Sequence, residues 1–573
     1  MRDAYSVSKV RAAEAALMAQ LPEGTLMQRA AAGLAAVCAG LLRTAPGGVY
    51  GARVVILAGT GDNGGDALYA GERLARRGAS VTAIAAGPRL HPGGAQALTA
   101  AGGRIIAVAP PRDPDATRDD LGAQPGQSGQ PGQRGDRYDA GHEVRRAIGH
   151  ADLIIDGMLG IGGRGGLREP YATLAQLAAN TAGATVVAVD LPSGIEADSG
   201  EVAGPAVRAD VTVTFGAVKP GLLIDPGAGL AGVVEFIDIG LGPYLDQPPA
   251  ASAPQARDIA ALLPRPTGES DKYRRGVLGL LAGSDRFTGA ALLATGGAVH
   301  GGAGMVRLVT FRGAAAAVRQ VHPEVVITEL TGGTRTRSES SALSPGDPPP
   351  AAGGDRFPED VGRVQAWAAG SGMGTDDAAT QRLAAVLATS LPVLVDADGL
   401  TVLSRHRDLL PRPAPTLITP HAGELGRLLG ADPADIEAKR LEYARRAATM
   451  LGVCVLLKGS TTVVAPPDGL EPVLVNTTGT PWLATAGTGD VLAGLAGALM
   501  AQGLLPPQAA IAAAYLHGLA ARSAAAGGDR AGWPGRPGPC AGAPVGAADV
   551  AAAVPQAFRL VEAAAASASQ RLA

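Results

Sequence analysis

The sequence predicts an α/β fold in two halves, each built on a parallel sheet with helices on both faces. Short runs rich in Val, Ile and Leu alternate with helical stretches along the chain, which is typical of parallel strands joined by crossover helices. Glycine-rich segments follow several of these runs, where a strand gives way to a helix. The length of 573 residues also favours more than one core, since domains average roughly 150 residues.

Five strands are predicted in the first half. They are RVVILAG (53–59), SVTAIAA (80–86), DLIID (152–156), TVVAVD (185–190) and VTVTF (211–215). A helical pattern from Ala67 to Arg77 follows the first of them. The stretch 110–138 has almost no large apolar residues, so it is predicted to be a disordered surface insertion.

A Pro-rich stretch, PYLDQPPAASAPQ (243–255), predicts the connection between the halves. We therefore expect a first domain over 1–245, a linker over 246–257 and a second domain over 258–573. A helix is predicted near 290–300, another beyond Pro544, and a polar insert over 331–356. The strands predicted in the second half are GVLGLLAG (276–283), MVRLVT (305–310), VQAWAAG (364–370), LPVLVDAD (391–398), PTLITP (415–420), VCVLLKG (453–459) and TTVVA (461–465).

Composition limits the classes of partner. The 49 Lys and Arg against 52 Asp and Glu leave a formal net charge of −3, which provides no electrostatic case for nucleic acid or an anionic membrane. Three widely spaced cysteines indicate neither a disulfide framework nor a cysteine zinc site, and they suit a reducing compartment. The N-terminus lacks the apolar segment of a signal peptide, and no uninterrupted apolar run reaches the roughly 20 residues that span a bilayer. We expect a cytoplasmic protein that acts on small molecules.

The first glycine-rich segment, GTGDNGGDA (59–67), follows a strand and opens a helix. Glycines let an anion approach the backbone, and the free amides of a helix N-terminus face that anion. Asp62, Asn63 and Asp66 add polar side chains at the same place. A simple strand-to-helix turn capped by Asp or Asn is the alternative interpretation.

Two further polar segments follow predicted strands. DGMLGIGGRGG (156–166) begins with Asp156, and DLPSGIEADSG (190–200) begins with Asp190. Turn capping explains either aspartate taken singly. Because the carboxyl ends of parallel strands meet at one edge of a sheet, we expect both to converge with the first glycine segment on a ligand site.

The most specific stretch of the second half is NTTGTPWLATAGTGDVLAGLAGALMAQG (476–503). Its Gly487, Thr488 and Gly489 offer backbone amides at a predicted helix N-terminus, which suits an oxyanion or a phosphate. Asp490 lies within this turn, where a carboxylate can take a proton from a hydroxyl while the amides hold the phosphate. The alternative is an aspartate that only complements the helix dipole.

Other segments of the second half agree with a nucleotide site. VLLKGSTT (455–462) ends a strand in Lys458, and TPHAGELGRLLG (419–430) sets His421 after a strand. A solvated strand end for Lys458 and a structural or capping role for His421 are the alternatives. AAGSGMGTDD (368–377) and AGSDRFTGAALLA (282–294) are two more glycine turns at strand ends.

The motifs GTGDNGGD, DGMLGIGGRGG and DLPSG resemble those of the NAD(P)H-hydrate epimerase domain, a Rossmann-like three-layer fold, over about residues 1–240. The resemblance implies a hydrated nicotinamide dinucleotide as substrate and a potassium ion held by Asn63, Asp156 and Ser193. We expect Asp190 to relay protons at the hydroxyl-bearing ring carbon. The residues implied to contact the dinucleotide are Asp62, Asn63, Gly64, Gly65, Asp66, Gly160, Ile161, Gly162, Gly163, Arg164, Gly165, Gly166 and Asp190.

The motifs AGTGD, PHAGE, KGSTT and SDRFTGA resemble those of the ADP-dependent NAD(P)H-hydrate dehydratase domain, which has a ribokinase-like α/β fold, over roughly 258–560. The resemblance implies that ADP is the co-substrate, and Mg²⁺ is expected to balance its charge. The hydrated dinucleotide would face Ala290, Gly372, His421 and the catalytic Asp490. The nucleotide would bind Lys458, Gly459, Ser460, Thr461, Thr462, Gly487, Thr488 and Gly489.

Together the two resemblances imply one repair enzyme for damaged coenzymes. The epimerase would interconvert R- and S-NADHX or R- and S-NADPHX, and the dehydratase would return the S form to NADH or NADPH while ADP becomes AMP and phosphate. Members of both families tend to self-associate, so a homo-oligomer is expected. The alternative is a ribokinase-like kinase for a vitamin-type alcohol, joined to a non-catalytic dinucleotide-binding module.

Overall fold

The structure, a computed structural model, describes residues 1–44, 47–87, 89–108, 140–330, 357–469, 472–527 and 542–572. The inserts predicted over 110–138 and 331–356 lie outside these residues. The described chain divides into two compact units, one over Ala4–Pro249 and the other from Ala250 onward together with Met1–Asp3. This division falls within the stretch 246–257 that was predicted as a linker.

Strand β1 (Arg2–Ala4) joins the sheet of the second unit. The first unit has seven strands, all parallel, in the order β4-β3-β2-β5-β6-β7-β8. Its strands are β2 (Arg53–Ala58), β3 (Ser80–Ala85), β4 (Arg104–Ala107), β5 (Leu153–Gly157), β6 (Thr185–Val189), β7 (Val211–Phe215) and β8 (Val233–Ile237). Its helices are α1 (Val7–Met18), α2 (Thr25–Thr44), α3 (Asp62–Ala75), α4 (Pro92–Ala100), α5 (Ala140–Gly149) and α6 (Tyr171–Ala179).

Helices cover both faces of this sheet. Along β2, Val54 and Ile56 enter a core formed with α1, α2 and α3, whereas Val55 and Leu57 enter a core formed with α5 and α6. This alternation follows from the two-residue period of a strand. The expected three-layer α/β arrangement of the first half is thereby confirmed.

Helix α2 is, within the described part of the chain, the one helix long and apolar enough to cross a membrane by length and composition. A buried core helix passes the same test. Leu34 and Cys38 of α2 are fully buried in the core that α2 shares with the sheet and α3, so packing inside the unit accounts for its apolar face.

The second unit contains an eleven-stranded sheet in the order β1-β9-β18-β17-β16-β15-β14-β13-β10-β11-β12. Strand β17 runs antiparallel to both of its neighbours, while β10 to β16 are parallel. The strands are β9 (Ala251–Ala253), β10 (Val277–Leu281), β11 (Met305–Phe311), β12 (Val326–Leu330), β13 (Ala366–Ala369), β14 (Val393–Val395), β15 (Thr416–Ile418), β16 (Cys454–Leu457), β17 (Thr462–Ala465) and β18 (Val473–Asn476).

The main core of this unit lies between the sheet and α8, α15, α16 and α17. Glycines bring α8 and α15 together, since a Cβ at Gly494 or at Gly297 would overlap the backbone of the other helix. Glycine is therefore a packing requirement at these two positions. The helices are α7 (Ala256–Leu262), α8 (Thr288–His300), α9 (Arg312–Val321), α10 (Asp377–Leu387), α11 (Asp398–Arg405), α12 (Ala422–Leu429), α13 (Pro433–Ala438), α14 (Arg440–Leu451), α15 (Thr488–Ala501), α16 (Pro506–Ala525) and α17 (Ala547–Leu572).

The start of α3 differs from the sequence prediction. The helix expected from Ala67 begins at Asp62, so residues 62–66 form its first turn instead of a loop. The N-terminal amides of α3 consequently lie closer to the end of β2 than the sequence pattern indicated. Only residues 59–61 separate the strand from the helix.

Candidate active sites

Three polar segments of the first unit meet at one edge of its sheet. The turn 59–61 follows β2, Asp156 lies near the end of β5, and Asp190 directly follows β6. Strands β2, β5 and β6 are neighbours and parallel, so their carboxyl ends lie side by side.

The three predicted potassium ligands lie around the backbone of Leu159. Ser193 donates from Oγ to Asp156 Oδ1 at 2.7 Å and from its backbone N–H to Oδ2 at 2.8 Å. The Asn63 amide donates to the Leu159 carbonyl at 3.4 Å and to the Val189 carbonyl at 2.6 Å. The N–H of Leu159 in turn donates to Ser193 Oγ at 2.9 Å.

The chemistry of this cluster suits a hard cation. Asp156 is fully buried, and burial raises the pKa of its carboxyl to about 6 although Ser193 and Met158 donate hydrogen bonds to it. A carboxylate, a hydroxyl and an amide supply oxygen donors only, as an alkali cation prefers. A bound potassium ion would supply the positive charge that such a buried carboxylate favours. Asn63, Asp156 and Ser193 therefore fit the ion by donor type.

Asp190 is held by a group that the sequence interpretation did not include. Its backbone is left-handed, with φ of 68°. Lys219, 1% exposed, donates from Nζ to Asp190 Oδ1, which also receives hydrogen bonds from Thr214 Oγ1 at 3.2 Å and the Phe215 N–H at 3.3 Å. A lone lysine after an apolar strand, in VTVTFGAVK, was the available signal for this pair.

The two predicted dinucleotide loops pack against one another. Gly64 lies inside the first turn of α3, where a Cβ would overlap the Gly59 carbonyl, and a Cβ at Gly160 would overlap the Asn63 side chain. The remaining predicted loop residues continue from Gly160, with Arg164 exposed. Asp66 is buried in the same helical turn, with 7% exposure, and its Oδ1 has no hydrogen-bond partner.

In the second unit, the AGTGD stretch forms the beginning of α15. Gly487, with φ of 88°, precedes the helix, and Thr488 begins it. The Thr488 hydroxyl donates to the carbonyls of Leu483 and Thr485, so its backbone N–H, rather than its side chain, is available for an anion. Asp490 lies in the first turn among these amides.

The carboxyl of Asp490 has a perturbed environment. Burial raises its pKa to about 6, a hydrogen bond with Ser371 opposes this effect, and repulsion from Asp396 adds to it. A carboxyl that titrates near neutrality suits proton transfer.

Lys458 connects three elements at this sheet edge. Its Nζ lies 2.7 Å from Asp396 Oδ1 at the end of β14 and 3.8 Å from Glu424 Oε2 on α12. A Cβ at Gly489 would lie 3.4 Å from the same Nζ, which places Lys458 beside the start of α15. Burial would lower the pKa of Lys458, but Asp396, Glu424 and Asp490 outweigh it and raise the pKa.

The segment after Lys458 rests on an arginine that sequence reasoning missed. Arg440 is 2% exposed, pairs with Glu437 and donates to the Lys458 carbonyl at 3.4 Å. A Cβ at Gly459 would overlap its guanidinium. Ser460 and Thr461 follow, and Thr462 is the first residue of β17. No sequence pattern indicated Arg440, because it starts α14 rather than following a strand.

The residues predicted to face the hydrated dinucleotide fall into two groups. Gly372 and Ala290 are adjacent, since a Cβ at Gly372 would lie 2.8 Å from that of Ala290. His421 instead caps α12, where its Nδ1 accepts the N–H groups of Gly423 at 3.0 Å and Glu424 at 3.4 Å. This is the capping role weighed as the alternative, and it leaves Nε2 on an exposed side chain, close to Glu424 at 3.6 Å.

The second unit offers few side chains that could bind a metal ion. Across the parts of the chain that the structure describes, no group of three or more His, Cys, Asp or Glu side chains is arranged to hold a metal ion. Magnesium at nucleotide sites commonly binds phosphate oxygens with one or two carboxylates. Asp396 and Glu424, which face Lys458 beside α15, fit that more modest requirement.

Each half of the chain matches a known protein family. The family described as NAD(P)H-hydrate dehydratase matches residues 278–531, and the family described as YjeF-related protein N-terminus matches residues 23–221. A solved NAD(P)H-hydrate dehydratase from Bacillus subtilis, crystallised with ATP and Mg²⁺, is 28% identical, covers 54% of this chain and 97% of its own, and has a TM-score of 0.42.

Two curated relatives match most of the chain. The bifunctional NAD(P)H-hydrate repair enzyme of Mycobacterium tuberculosis is 44% identical over 515 residues, which are 89% of this chain and 91% of the relative. The enzyme of the same name from Mycobacterium leprae is 43% identical over 530 residues, covering 92% and 95%. Matches of this identity and extent include both units, and on their basis the chain belongs to the family of bifunctional NAD(P)H-hydrate repair enzymes.

Proposed function

We propose that this chain repairs hydrated nicotinamide coenzymes in two steps, with an epimerase over 1–245 and a dehydratase over 258–573. The observation that carries the proposal is Asp490 among the first-turn amides of α15, beside Lys458. A proton acceptor and an anion site at one sheet edge suit phosphoryl transfer to a substrate hydroxyl.

The dehydratase step follows from this arrangement. The amides of residues 487–489 hold the terminal phosphate of ADP, while residues 458–462 contact the nucleotide. Asp490 takes the proton of the ring hydroxyl, whose oxygen attacks the terminal phosphorus, so that AMP leaves. The phosphate ester then departs as inorganic phosphate, a proton leaves the neighbouring ring carbon, and the ring double bond returns.

Charge on the nucleotide needs balancing in that step. When bound, Mg²⁺ neutralises phosphate oxygens, and Asp396 and Glu424 are the residues that would hold it. Lys458 contributes a fixed positive charge at the same place. Ala290, Gly372 and the exposed edge of His421 are left to contact the hydrated dinucleotide.

The epimerase supplies the S form from the R form. Asn63, Asp156 and Ser193 would hold potassium, and residues 62–66 with 160–166 would cradle the dinucleotide. Asp190 would face the hydroxyl-bearing ring carbon. The adjacency of these segments at the ends of β2, β5 and β6 supports one shared site.

Coenzyme substrates and the cysteine content support a cytoplasmic location, with NADHX and NADPHX as substrates and neither nucleic acid nor membrane as a partner. Self-association stays a prediction from the family resemblance. Light scattering of the purified chain tests it.

The function is tested with a mixture of R and S hydrates, with and without ADP and with K⁺ or Na⁺. With ADP and K⁺, we expect the whole pool to be recovered as reduced coenzyme. The absorbance of the reduced nicotinamide measures this recovery. Conversion of the S portion alone would contradict the epimerase. Accumulation of a phosphorylated organic product without free phosphate would instead support a kinase.

A further inference from the structure

Lys219 is a buried charge in the first unit that the proposed function has not used. Its side chain is 1% exposed, and its Nζ contacts Asp190 Oδ1, Thr214 Oγ1 at 3.2 Å and the Phe215 carbonyl at 3.5 Å. Burying an ammonium group is costly unless an opposite charge compensates for it. Lys219 therefore needs the carboxylate of Asp190 as its partner.

The contacts are concentrated on one oxygen of Asp190. Lys219, Thr214 and the Phe215 N–H all donate to Oδ1. The carboxylate is thereby oriented in a left-handed turn, where a residue other than glycine is strained. The other carboxylate oxygen, Oδ2, receives none of these three hydrogen bonds.

Asp66 is a second carboxyl in the same neighbourhood with the opposite environment. It is 7% exposed, and its Oδ1 has no hydrogen-bond partner in the structure. Burial raises its pKa well above the usual range, and repulsion from Asp190, Asp62 and Glu14 adds to this shift. A neutral carboxyl is the form that such surroundings favour, and a neutral carboxyl can donate a proton.

Two carboxyls with opposed environments are the usual sign of an acid and a base acting on one substrate. We propose that Asp66 gives a proton to the ring hydroxyl of the hydrate, and that Asp190, positioned by Lys219, takes a proton from the water that re-enters on the opposite face. The proposal rests on the proposed epimerase function and names its acid, its base and a positioning residue.

The step balances without any other reactant. Hydration of the ring enamine places the hydroxyl on the carbon next to the ring nitrogen. When Asp66 protonates that hydroxyl, the C–O bond breaks, water leaves, and the nitrogen lone pair forms a C=N bond. Water then adds to the other face, its proton passes to Asp190, and transfer of that proton back to Asp66 restores the site.

The first experiment follows inversion of the purified R hydrate by chromatography in H₂¹⁸O, using the full chain with K⁺ and without ADP. We expect one solvent oxygen in each inverted molecule, after subtraction of the reaction without enzyme. Inversion without label would overturn the proposed C–O cleavage. A wild-type chain that inverts nothing would contradict the epimerase function itself.

The second experiment compares Asp66→Asn, Asp190→Asn and Lys219→Met with Asp246→Asn, an exposed change in the same unit. We expect the first two to lose about 100-fold or more of the inversion rate. Lys219→Met should lower kcat with little change in KM, Lys219→Arg should restore part of kcat, and Asp246→Asn should match the wild type. Wild-type inversion by Asp66→Asn would overturn the acid role.

Folding is controlled within the same molecules. ADP-dependent conversion of the purified S hydrate shows whether the second unit is folded. Thermal unfolding shows whether the first unit is folded. A variant that unfolds early is replaced by Asp66→Glu or Lys219→Arg, which keep the charge type and for which we expect partial inversion activity. For Lys219→Met, a rise in KM with an unchanged kcat would contradict the positioning role.

Discussion

The ammonium nitrogen of Lys458 lies 2.7 Å from Oδ1 of Asp396, and this ion pair joins two strand ends of the second unit. Asp396 is 1% exposed, whereas Lys458 keeps 20% of its side chain exposed. The pair therefore presents one face of the ammonium group toward the start of α15, where a nucleotide phosphate is proposed to bind. The two roles of Lys458, neutralising Asp396 and binding phosphate, can be separated by mutation.

Replacing Lys458 with Met should destabilise the second unit because it leaves Asp396 and Glu424 without their counter-charge. We expect a loss of roughly 1–3 kcal/mol, below the cost at a fully buried pair because Lys458 is partly exposed. The double variant Lys458→Met with Asp396→Asn should recover part of that loss while nucleotide binding stays weak. Urea unfolding and ADP titration measure the two effects, and equal stability of single and double variants would contradict the coupling.

Asp490→Asn should abolish coenzyme recovery without unfolding the chain, since the amide keeps the shape of the carboxyl but cannot take a proton. A loss of about 100-fold or more in ADP-dependent dehydration is expected. The measurement is phosphate release from the S hydrate. The same preparation should still interconvert the epimers, and an undiminished dehydration rate would remove Asp490 from the mechanism.

The pH dependence of dehydration should report the same carboxyl. Burial raises the pKa of Asp490 to about 6, and a base must be deprotonated to act. The rate should therefore be level above pH 7 and fall as the pH drops through 6, approaching tenfold per unit. AMP formation is the measurement, because reduced nicotinamide decomposes in acid. A profile without a limb near pH 6 would contradict Asp490 as the base.

Much of the fold was predictable because its central strands are buried on both faces. RVVILAG and VCVLLKG contain continuous apolar runs, and VTVTF consists of β-branched residues up to its final Phe. They correspond to β2, β16 and β7. The strands that were missed are short or lie at sheet edges. β4 and β8 expose much of their surface, and the three residues of β9 carry no periodic signal.

The site residues divide in the same way. Those at the ends of buried strands, such as Asp156 and Asp190, were predictable because a parallel sheet brings its strand ends together. Lys219 and Arg440 were not, since each acquires its partner only when a loop or a helix packs against a distant segment. The lone lysine of VTVTFGAVK marks Lys219 as unusual, but nothing in the sequence names its partner, and no pattern indicates Arg440.

Gly459→Ala should weaken nucleotide binding by displacing the segment after Lys458. A Cβ at this position overlaps the Arg440 guanidinium, which is buried and held by Glu437, so the backbone must move instead. We expect KM for ADP to rise about tenfold or more, with a smaller effect on KM for the hydrate. Gly268→Ala, where a Cβ meets nothing within 4 Å, is the matched control. Equal KM values for the two variants would show that the contact is not needed.

Potassium should stabilise the first unit through Asp156, whose buried carboxyl receives hydrogen bonds from Ser193 and the Met158 N–H. Because a ligand that binds only the folded state raises stability with its concentration, K⁺ should raise the thermal midpoint of this unit by a few degrees relative to choline at equal ionic strength. Asp156→Asn and Ser193→Ala should lose that increment, because each removes an oxygen ligand or its orientation. Asp246→Asn, an exposed change, should retain it. The readout is unfolding rather than activity, so an identical midpoint in K⁺ and choline for the wild type would remove potassium from this cluster whatever its effect on epimerisation.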